Sequence, residues 1–305
     1  MFAAHETGPI SPPVRDSVAA LSQRPTVVSI SDIHGFLGEA RSALLTLTDH
    51  PEYDPVVESD AARRLHWAGG DEYVLVFNGD LIDRGPQSHR VVEMVDRLVD
   101  EAPPGHVRVT VGNHEMGVLT PALYGWSNWY AGTRSERERR SFIEQIRDGH
   151  VVAAYEGYNV TYAHAGQPDP YEVSTVNETL VEGATALFEG LGEPDAIDRE
   201  AAIVDEYPQV FGYGNESSRG PGAGITWLDF EHMPEDAPPQ VVGHSRQDAP
   251  TRRGNVLCEN VIRENRRSDG GEAVVVETPD SIRAVGRTPD GGVDEHVFSL
   301  PVLRE

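Results

Sequence analysis

Five short runs in this chain hold residue types that bind hard and borderline cations: S-D-I-H-G at 31–35, G-D-L-I-D-R-G at 79–85, G-N-H-E at 112–115, A-H-A-G at 163–166 and G-H-S at 243–245. Two divalent metals about 3.5–4 Å apart polarise a phosphoryl group and generate a hydroxide at neutral pH. Such a pair needs a carboxylate between the ions and a mixture of imidazole and oxygen ligands around them. Asp80 is the natural bridge. Asp32 and His34, two residues apart, can converge on one metal, and Asn113, His164 and His244 can complete the other. Asp83 and His114 are left over as a pair suited to acid chemistry. The Asp/His/Asn mixture favours Mn, Fe, Zn or Co over a pure Mg or Ca site. One D-x-H, or one histidine after a strand, is more often a packed or surface residue. The remaining histidines (His5, His50, His66, His89, His106, His150, His232 and His296) are assigned to that category. The joint order of the five runs is what separates the others.

The elements that must position these runs are legible around them. P-T-V-V-S-I-S at 25–31, Y-V-L-V-F-N at 73–78 and H-V-R-V-T-V at 106–111 read as short buried strands. Helices are expected over 38–49 and 86–101, the second with Val91, Met94, Val95, Leu98 and Val99 at helical spacing behind Pro86. Alternating strand and helix predicts parallel βαβ units, which bind ligands just beyond the carboxyl ends of their strands. Asp32, Asp80 and Asn113 each follow such an end. Further on, a helix is expected around 134–148 and strands over 151–155 and 158–163. Residues 190–224, rich in Gly, Pro and acids, read as a long surface excursion. Strands at 240–243, 255–263, 273–278, 282–287 and 296–300 predict an antiparallel meander forming a second sheet. The expected organisation is a loose N-terminal arm over 1–24, with Pro-rich residues 8–13, and one α/β domain over 25–305.

Composition bounds the setting. The 305 residues carry 50 Asp+Glu against 25 Lys+Arg, a formal net charge of -25, and every one of those cations is arginine. This fits a salt-rich cytosol, where repulsion is screened over a few ångströms and hydrated carboxylates keep protein dissolved, so a halophilic, cytoplasmic protein is expected. A hydrophobic content of 38% argues against disorder. The charge argues against a nucleic-acid partner. Without lysine there is no Walker-type phosphate loop lysine and no Schiff base. The single cysteine, Cys258, forms no internal disulfide. The N-terminal stretch lacks the basic start and apolar run of a signal peptide, and no segment approaches the roughly 20 apolar residues of a membrane span.

Taken together, the runs resemble those of the calcineurin-like metallophosphoesterases, specifically the phosphoprotein-phosphatase branch with its diadenosine-tetraphosphatase relatives. G-D-L-I-D-R-G and G-N-H-E are the most specific, A-H-A-G and G-H-S fall in the expected order, and the resemblance spans about 26–245. It implies a four-layer αββα sandwich of two mixed sheets. It also implies Asp32, His34 and Asp80 on the first metal, and Asp80, Asn113, His164 and His244 on the second. A metal-bound hydroxide would attack phosphorus, with His114 as general acid and Asp83 holding its ring and raising its pKa. Arg84, and Arg219 in S-S-R-G, would clamp the phosphate oxygens. Two positions depart from the pattern. Val111 stands where the protein phosphatases usually carry arginine, and Ser31 replaces a common glycine.

The expected activity is a dimetal phosphomonoesterase, with manganese the first candidate metal and a phosphoprotein or small phosphoester as substrate. Val111 keeps open a dinucleoside polyphosphate hydrolase, and a non-catalytic module of the same fold ranks last because no ligand is missing. Trp126, Trp129 and Tyr130 read as core or rim rather than a nucleobase platform. The sequence leaves oligomeric state open.

Overall fold

A computed structural model describes residues 8–215 and 219–299 of the chain. Its strands are β1 (Thr26–Ile30), β2 (Val57–Ser59), β3 (Leu65–Trp67), β4 (Tyr73–Asn78), β5 (Val107–Thr110), β6 (Val151–Val152), β7 (Ala154–Glu156), β8 (Thr161–Ala163), β9 (Gln240–Val242), β10 (Thr251–Arg253), β11 (Val256–Cys258), β12 (Ala273–Thr278), β13 (Ser281–Arg287) and β14 (Val293–Phe298). A seven-stranded sheet runs β14-β13-β12-β1-β4-β5-β6 and a five-stranded sheet runs β10-β11-β9-β8-β7, with β2-β3 a separate hairpin. Both large sheets are mixed. β1, β4, β5 and β6 are parallel neighbours, as are β8, β9 and β11, while β12, β13 and β14 pair antiparallel. The mixed α/β fold with two mixed sheets is the expected class.

The continuous apolar runs of β1 and β4 follow from cover on both faces. Alternate residues serve different cores. Val27, Val74 and Val76 meet Tyr155, Tyr162, Val241 and Leu257 between the two sheets. Val28, Ile30, Leu75 and Phe77 face the helical side, with Leu44, Val91, Val95 and Leu98. The helix Ser88–Glu101 buries Val91, Met94, Val95, Leu98 and Val99, the stripe its spacing predicts. Outside the five-stranded sheet, Val242, Val256 and Cys258 are covered by Trp227, Phe230 and Met233. That layer holds a 3-10 turn, Phe230–His232.

Four expectations are corrected. The meander expected to build the second sheet is divided. β12, β13 and β14 are antiparallel neighbours but extend the first sheet through Val28↔Val276, whereas β9 and β11 pair in parallel within the second. Period-two alternation looks the same for either sheet, so the pattern could not choose. The excursion over 190–224 contains helices Ala196–Glu206 and Pro208–Phe211, with Ile203, Val204, Val210 and Phe211 buried. Its acids include the solvent side of an amphipathic helix. The loose arm, in its described part, is packed. Ile10 N–H donates to the Asp148 carbonyl at 2.8 Å, helix Pro12–Asp16 follows, and Val18 is buried between the sheets. The expected strand over 151–155 is two strands in different sheets. At Ala153 the chain passes from β6 to β7, and Asn177, on the unanticipated helix Val173–Glu189, holds the passage. Its Oδ1 accepts from Ala153 N–H at 2.8 Å and Ala154 N–H at 3.0 Å, while its Nδ2 donates to the Ala154 carbonyl at 3.0 Å.

Candidate dinuclear metal and phosphate site

The five runs meet at the carboxyl ends of β1, β4, β5, β8 and β9. Asp32, His34, Asp80 and Asn113 come from the seven-stranded sheet, and His164 and His244 from the five-stranded one. The turns that deliver them are conformationally costly. Of the nine non-glycine residues with positive φ among those described, six are Asp32, His34, Asp80, Asp83, Arg84 and His244. Left-handed backbone at a non-glycine residue is strained and persists only where surroundings over-determine it. One turn needs its glycine outright. Gly79 has φ +78°, and a Cβ there would lie 2.6 Å from His164 Nδ1.

Asp80 is central. Its Oδ2 lies 3.4 Å from His34 Nε2 and 3.5 Å from His164 Nε2, and its Oδ1 accepts from the His114 backbone N–H at 2.9 Å. Asp32 Oδ1 lies 3.6 Å from His34 Nε2, and Asp32 Oδ2 accepts from the His244 N–H at 2.9 Å. Asn113 Oδ1 is 3.3 Å from His164 Nε2 and 3.1 Å from His244 Nδ1. Two trios bring their donor atoms within 4.8 Å of one another: His34, Asp80 and His114, and Asp80, His164 and His244. The second lies within the expected ligand set. In the first, His114 stands where the expectation had Asp32, which flanks it.

The chemistry of this donor set fits divalent cations. His34 Nδ1 lies 3.0 Å from the Ile82 carbonyl and His164 Nδ1 lies 3.1 Å from the Asn78 carbonyl. Donating there leaves each Nε2 lone pair facing Asp80. Burial lowers the pKa of His164 and holds His34 and His244 well below the usual imidazole range, which favours the neutral rings a metal site needs. Burial also pushes Asp32 and Asp80 up to about 7. Carboxylate, amide oxygen and the Nε2 lone pairs of His34 and His164 thus face one another at 3.3–3.6 Å. Asp32 Oδ1 is a buried acceptor with no hydrogen-bond partner. Acceptors crowded in low dielectric repel unless a cation lies among them.

Beside this set, His114 Nδ1 is 2.6 Å from Asp83 Oδ2, and Asp83 Oδ1 accepts from Ala131 N–H at 3.0 Å. The ring is fixed, and its buried Nε2 has no partner. The expected upward shift is not found. Burial, followed by Arg84, holds His114 well below the usual range, and burial pushes Asp83 up to about 6. Trp126 and Trp129 wall the imidazole at ring-centroid distances of 5.0 and 5.4 Å, and Arg84 lies 5.3 Å over Trp129. These two tryptophans therefore pack on His114 rather than serving only as rim. A cleft of about 690 Å³ opens over the site, and both predicted phosphate arginines, Arg84 and Arg219, line it. Val111 is fully buried in the core and contributes nothing to that wall.

Three acids that sequence reasoning left without a role organise the site. Glu115, of G-N-H-E, accepts from the N–H groups of Asp80, Leu81 and Gly112 at 2.8, 3.0 and 3.0 Å, so it shapes the loop carrying Asp80. Glu259 accepts from Ser29 Oγ at 2.6 Å and Asn78 Nδ2 at 3.2 Å, tying the sheets together beneath the candidate site. Asp229 accepts from Ser245 Oγ at 2.8 Å and lies 3.8 Å from His244 Nε2 and 3.5 Å from Arg219. The signal for Glu115 was its place inside a metal run. For Glu259 there was none, because Ser29 and Asn78 lie far away in sequence. Asp229 stands in no run itself, although its partners His244 and Ser245 belong to G-H-S.

Fold and site together define a class. The family model for calcineurin-like phosphoesterases matches residues 25–194. The chain belongs to that family, and it carries a metal-dependent phosphoesterase domain. It is 31% identical over 195 residues to an uncharacterized protein of Schizosaccharomyces pombe, a match covering 57% of this chain and 54% of that protein. The chain thus spans about half the length of that curated relative. Among solved structures, the cold-active protein-tyrosine phosphatase of a psychrophilic Shewanella species is similar with a TM-score of 0.59 at 19% identity, covering 94% of this chain and 85% of that one. A mutant of a cold-active protein tyrosine phosphatase gives a TM-score of 0.61 at 19% identity with the same coverage. At that identity the likeness describes the fold. No helix among the described residues is long and apolar enough to cross a membrane.

Proposed function

We propose that this protein is a dimetal-dependent phosphomonoesterase. Asp32, His34 and Asp80 would hold one cation, and Asp80, Asn113, His164 and His244 the other. The observation that carries the reading is Asp80 Oδ2, 3.4 Å from one imidazole nitrogen and 3.5 Å from another on the opposite sheet. Bound cations supply Lewis acidity toward the phosphoryl group and a nucleophile at neutral pH. Arg84 and Arg219 orient the phosphate, each offering a planar fork to its oxygens. His114 Nε2 faces the site without a partner and Asp83 fixes its ring. Burial disfavours the imidazolium of the free protein, and a bound phosphate dianion beside the ring would favour the protonated form that delivers a proton to the departing alkoxide. Trp126 and Trp129 keep water from the far side of that ring.

Manganese is the metal we favour, and the lysine-free, acidic chain is read as a cytoplasmic protein of salt-rich cells. A second reading gives the same site a dinucleoside polyphosphate. Val111 favours it, because a guanidinium expected for phosphoprotein hydrolysis is replaced by a core side chain. The deciding experiment strips metal with chelator, restores Mn in molar salt, and follows p-nitrophenyl phosphate, a phosphopeptide and a dinucleoside tetraphosphate alongside metal content. Two metals per chain and restored phosphomonoester hydrolysis are expected. Hydrolysis that persists in metal-free protein refutes the reading, and preference for the dinucleotide selects the second.

A further inference from the structure

Five arginines line the cleft over the site against three carboxylates, Asp80, Asp229 and Glu231. Arg84, Arg219, Arg246, Arg253 and Arg263 all line it, five of the 25 cationic residues of a chain whose net charge is -25. The last three come from another part of the chain than Arg84. Arg246 follows the His244 turn, Arg253 ends β10, and Arg263 lies on the helical turn Ile262–Asn265. They are weakly committed elsewhere. Arg246 has one exposed ion pair, to Glu264 at 3.2 Å, and Arg253 donates to the Glu231 carbonyl. Among the described residues, Arg263 has no ion-pair partner. Burial lowers its pKa, and the charges of Arg84, Arg246 and Arg266 add to that. Asn260 also lines the cleft, 1% exposed, with its side-chain Oδ1 unpartnered.

A terminal phosphoryl group offers three oxygens. Two cations, if bound, and the forks of Arg84 and Arg219 would suffice for those oxygens. Arg263 is repelled by Arg84 and Arg246 on an otherwise acidic protein, and Arg253 lines the same cleft; a second bound anion removes that repulsion. The cleft volume of about 690 Å³ far exceeds one phosphoryl group and lies in the range of nucleotide- or sugar-sized ligands.

We infer that Arg246, Arg253 and Arg263 form a second anion subsite, so that the preferred substrate is a small molecule carrying another phosphate besides the scissile one. This rests on the phosphomonoesterase reading above and narrows its substrate class. The shared chemistry is a second phosphate, carried either on a separate carbon or further along one phosphate chain. Binding there adds nothing to the bond-breaking step; it lowers KM and holds the scissile phosphate in register with Arg84 and Arg219.

The test compares wild type, Arg253→Gln, Arg263→Gln and Arg263→Lys at moderate salt with free Mn held constant. Substrates are p-nitrophenyl phosphate, glucose 6-phosphate, glucose 1,6-bisphosphate and inorganic tripolyphosphate. Wild type should favour the bisphosphate over the monophosphate by about 30-fold in kcat/KM, mostly through KM, as expected for charge-assisted contacts. Each Gln variant should cut that preference about 5- to 10-fold, and Arg263→Lys should restore part of it. The better of bisphosphate and tripolyphosphate identifies how the second phosphate is carried. An unchanged preference in both Gln variants, with p-nitrophenyl phosphate still hydrolysed, overturns the subsite and leaves the phosphomonoesterase reading standing. Absence of metal-dependent hydrolysis of every monoester overturns both.

Discussion

Two groups of buried polar side chains lie between the same two sheets, at opposite ends of β1. At the carboxyl end are Asp32, Asp80, His164 and His244, with left-handed backbone at three of the four and unpartnered atoms on Asp32 and His244. At the other end Glu277, opposite Val27 in the sheet, accepts from Tyr162 Oη at 2.9 Å and from Asn159 N–H at 2.5 Å. Asn159 Nδ2 in turn donates to the Thr278 carbonyl at 2.9 Å. None of Glu277, Tyr162 and Asn159 has positive φ, and none keeps an unpartnered buried atom. Burial is comparable at the two ends, so burial does not mark the functional one. The difference is closure: one network uses its donors and acceptors internally, and the other holds acceptors open for something absent from the chain itself.

Removing a group from each end should therefore have opposite consequences. The largest effect is expected from Asp80→Asn, which takes away the carboxylate proposed to be shared by two cations. Metal content should fall from two per chain to one or none, and kcat/KM for p-nitrophenyl phosphate by about 10³-fold or more, while the melting temperature of metal-free protein is not lowered. A lowered melting temperature without metal would break the comparison, since it would make Asp80 a structural acid like Glu277. His114→Asn comes next. Loss of the proton donor should reduce kcat by about 10²–10³-fold, more for alkyl than for p-nitrophenyl esters, with metal content unchanged. Equal losses for both leaving groups would count against the proton-transfer role.

At the closed end the effects are on stability. Burial pushes Glu277 up to about 7 from 4.5. Below pH 4.5 both folded and unfolded chains hold that proton and nothing is lost. Between about 4.5 and 7 the unfolded chain ionises first and folded stability falls, reaching its full loss above about 7. Glu277→Gln removes this titration and should stabilise the protein by up to about 3 kcal/mol above pH 7, an advantage that disappears near pH 4. Denaturant unfolding at several pH values measures it, and a pH-independent difference would show that contacts rather than charge dominate. The smallest effect belongs to Tyr162→Phe, which leaves Glu277 one donor short. A loss of about 1–2 kcal/mol is expected, with kcat unchanged.

The open end was far more legible in the sequence than the closed one. Each of the five runs follows a β-branched strand, and while one such acid or imidazole is more often packed or at the surface, five runs in this order stand out. Glu277 sits in A-V-V-V-E-T, where nothing local distinguishes a buried acid from an exposed one. Its partners Tyr162 and Asn159 are over a hundred residues away. The same nonlocality hid the placement of β12 to β14, whose alternation suits either sheet, and hid Glu259, which matters only where the sheets meet. Helix Val173–Glu189 went unassigned although Val176, Leu180, Ala184 and Leu187 are buried at helical spacing. Thr, Val and Gly within it weaken the local preference that packing then overrides.

The handover at Ala153 bears on more than topology. The proposed ligands are divided between two sheets that could slide like stacked plates, and their separation would then drift. A chain crossing from one sheet to the other within a single residue, with Asn177 bonded to that residue and to the first of β7, works as a dowel through the pair. It sits at the β5–β6 edge, and Glu259 fastens the sheets near the middle. Two fixings in different places resist rotation as well as translation. The spacing of the ligands is thus held by the framework before any cation arrives. Loosening Asn177 should widen the spread of geometries at a centre to which it contributes no atom.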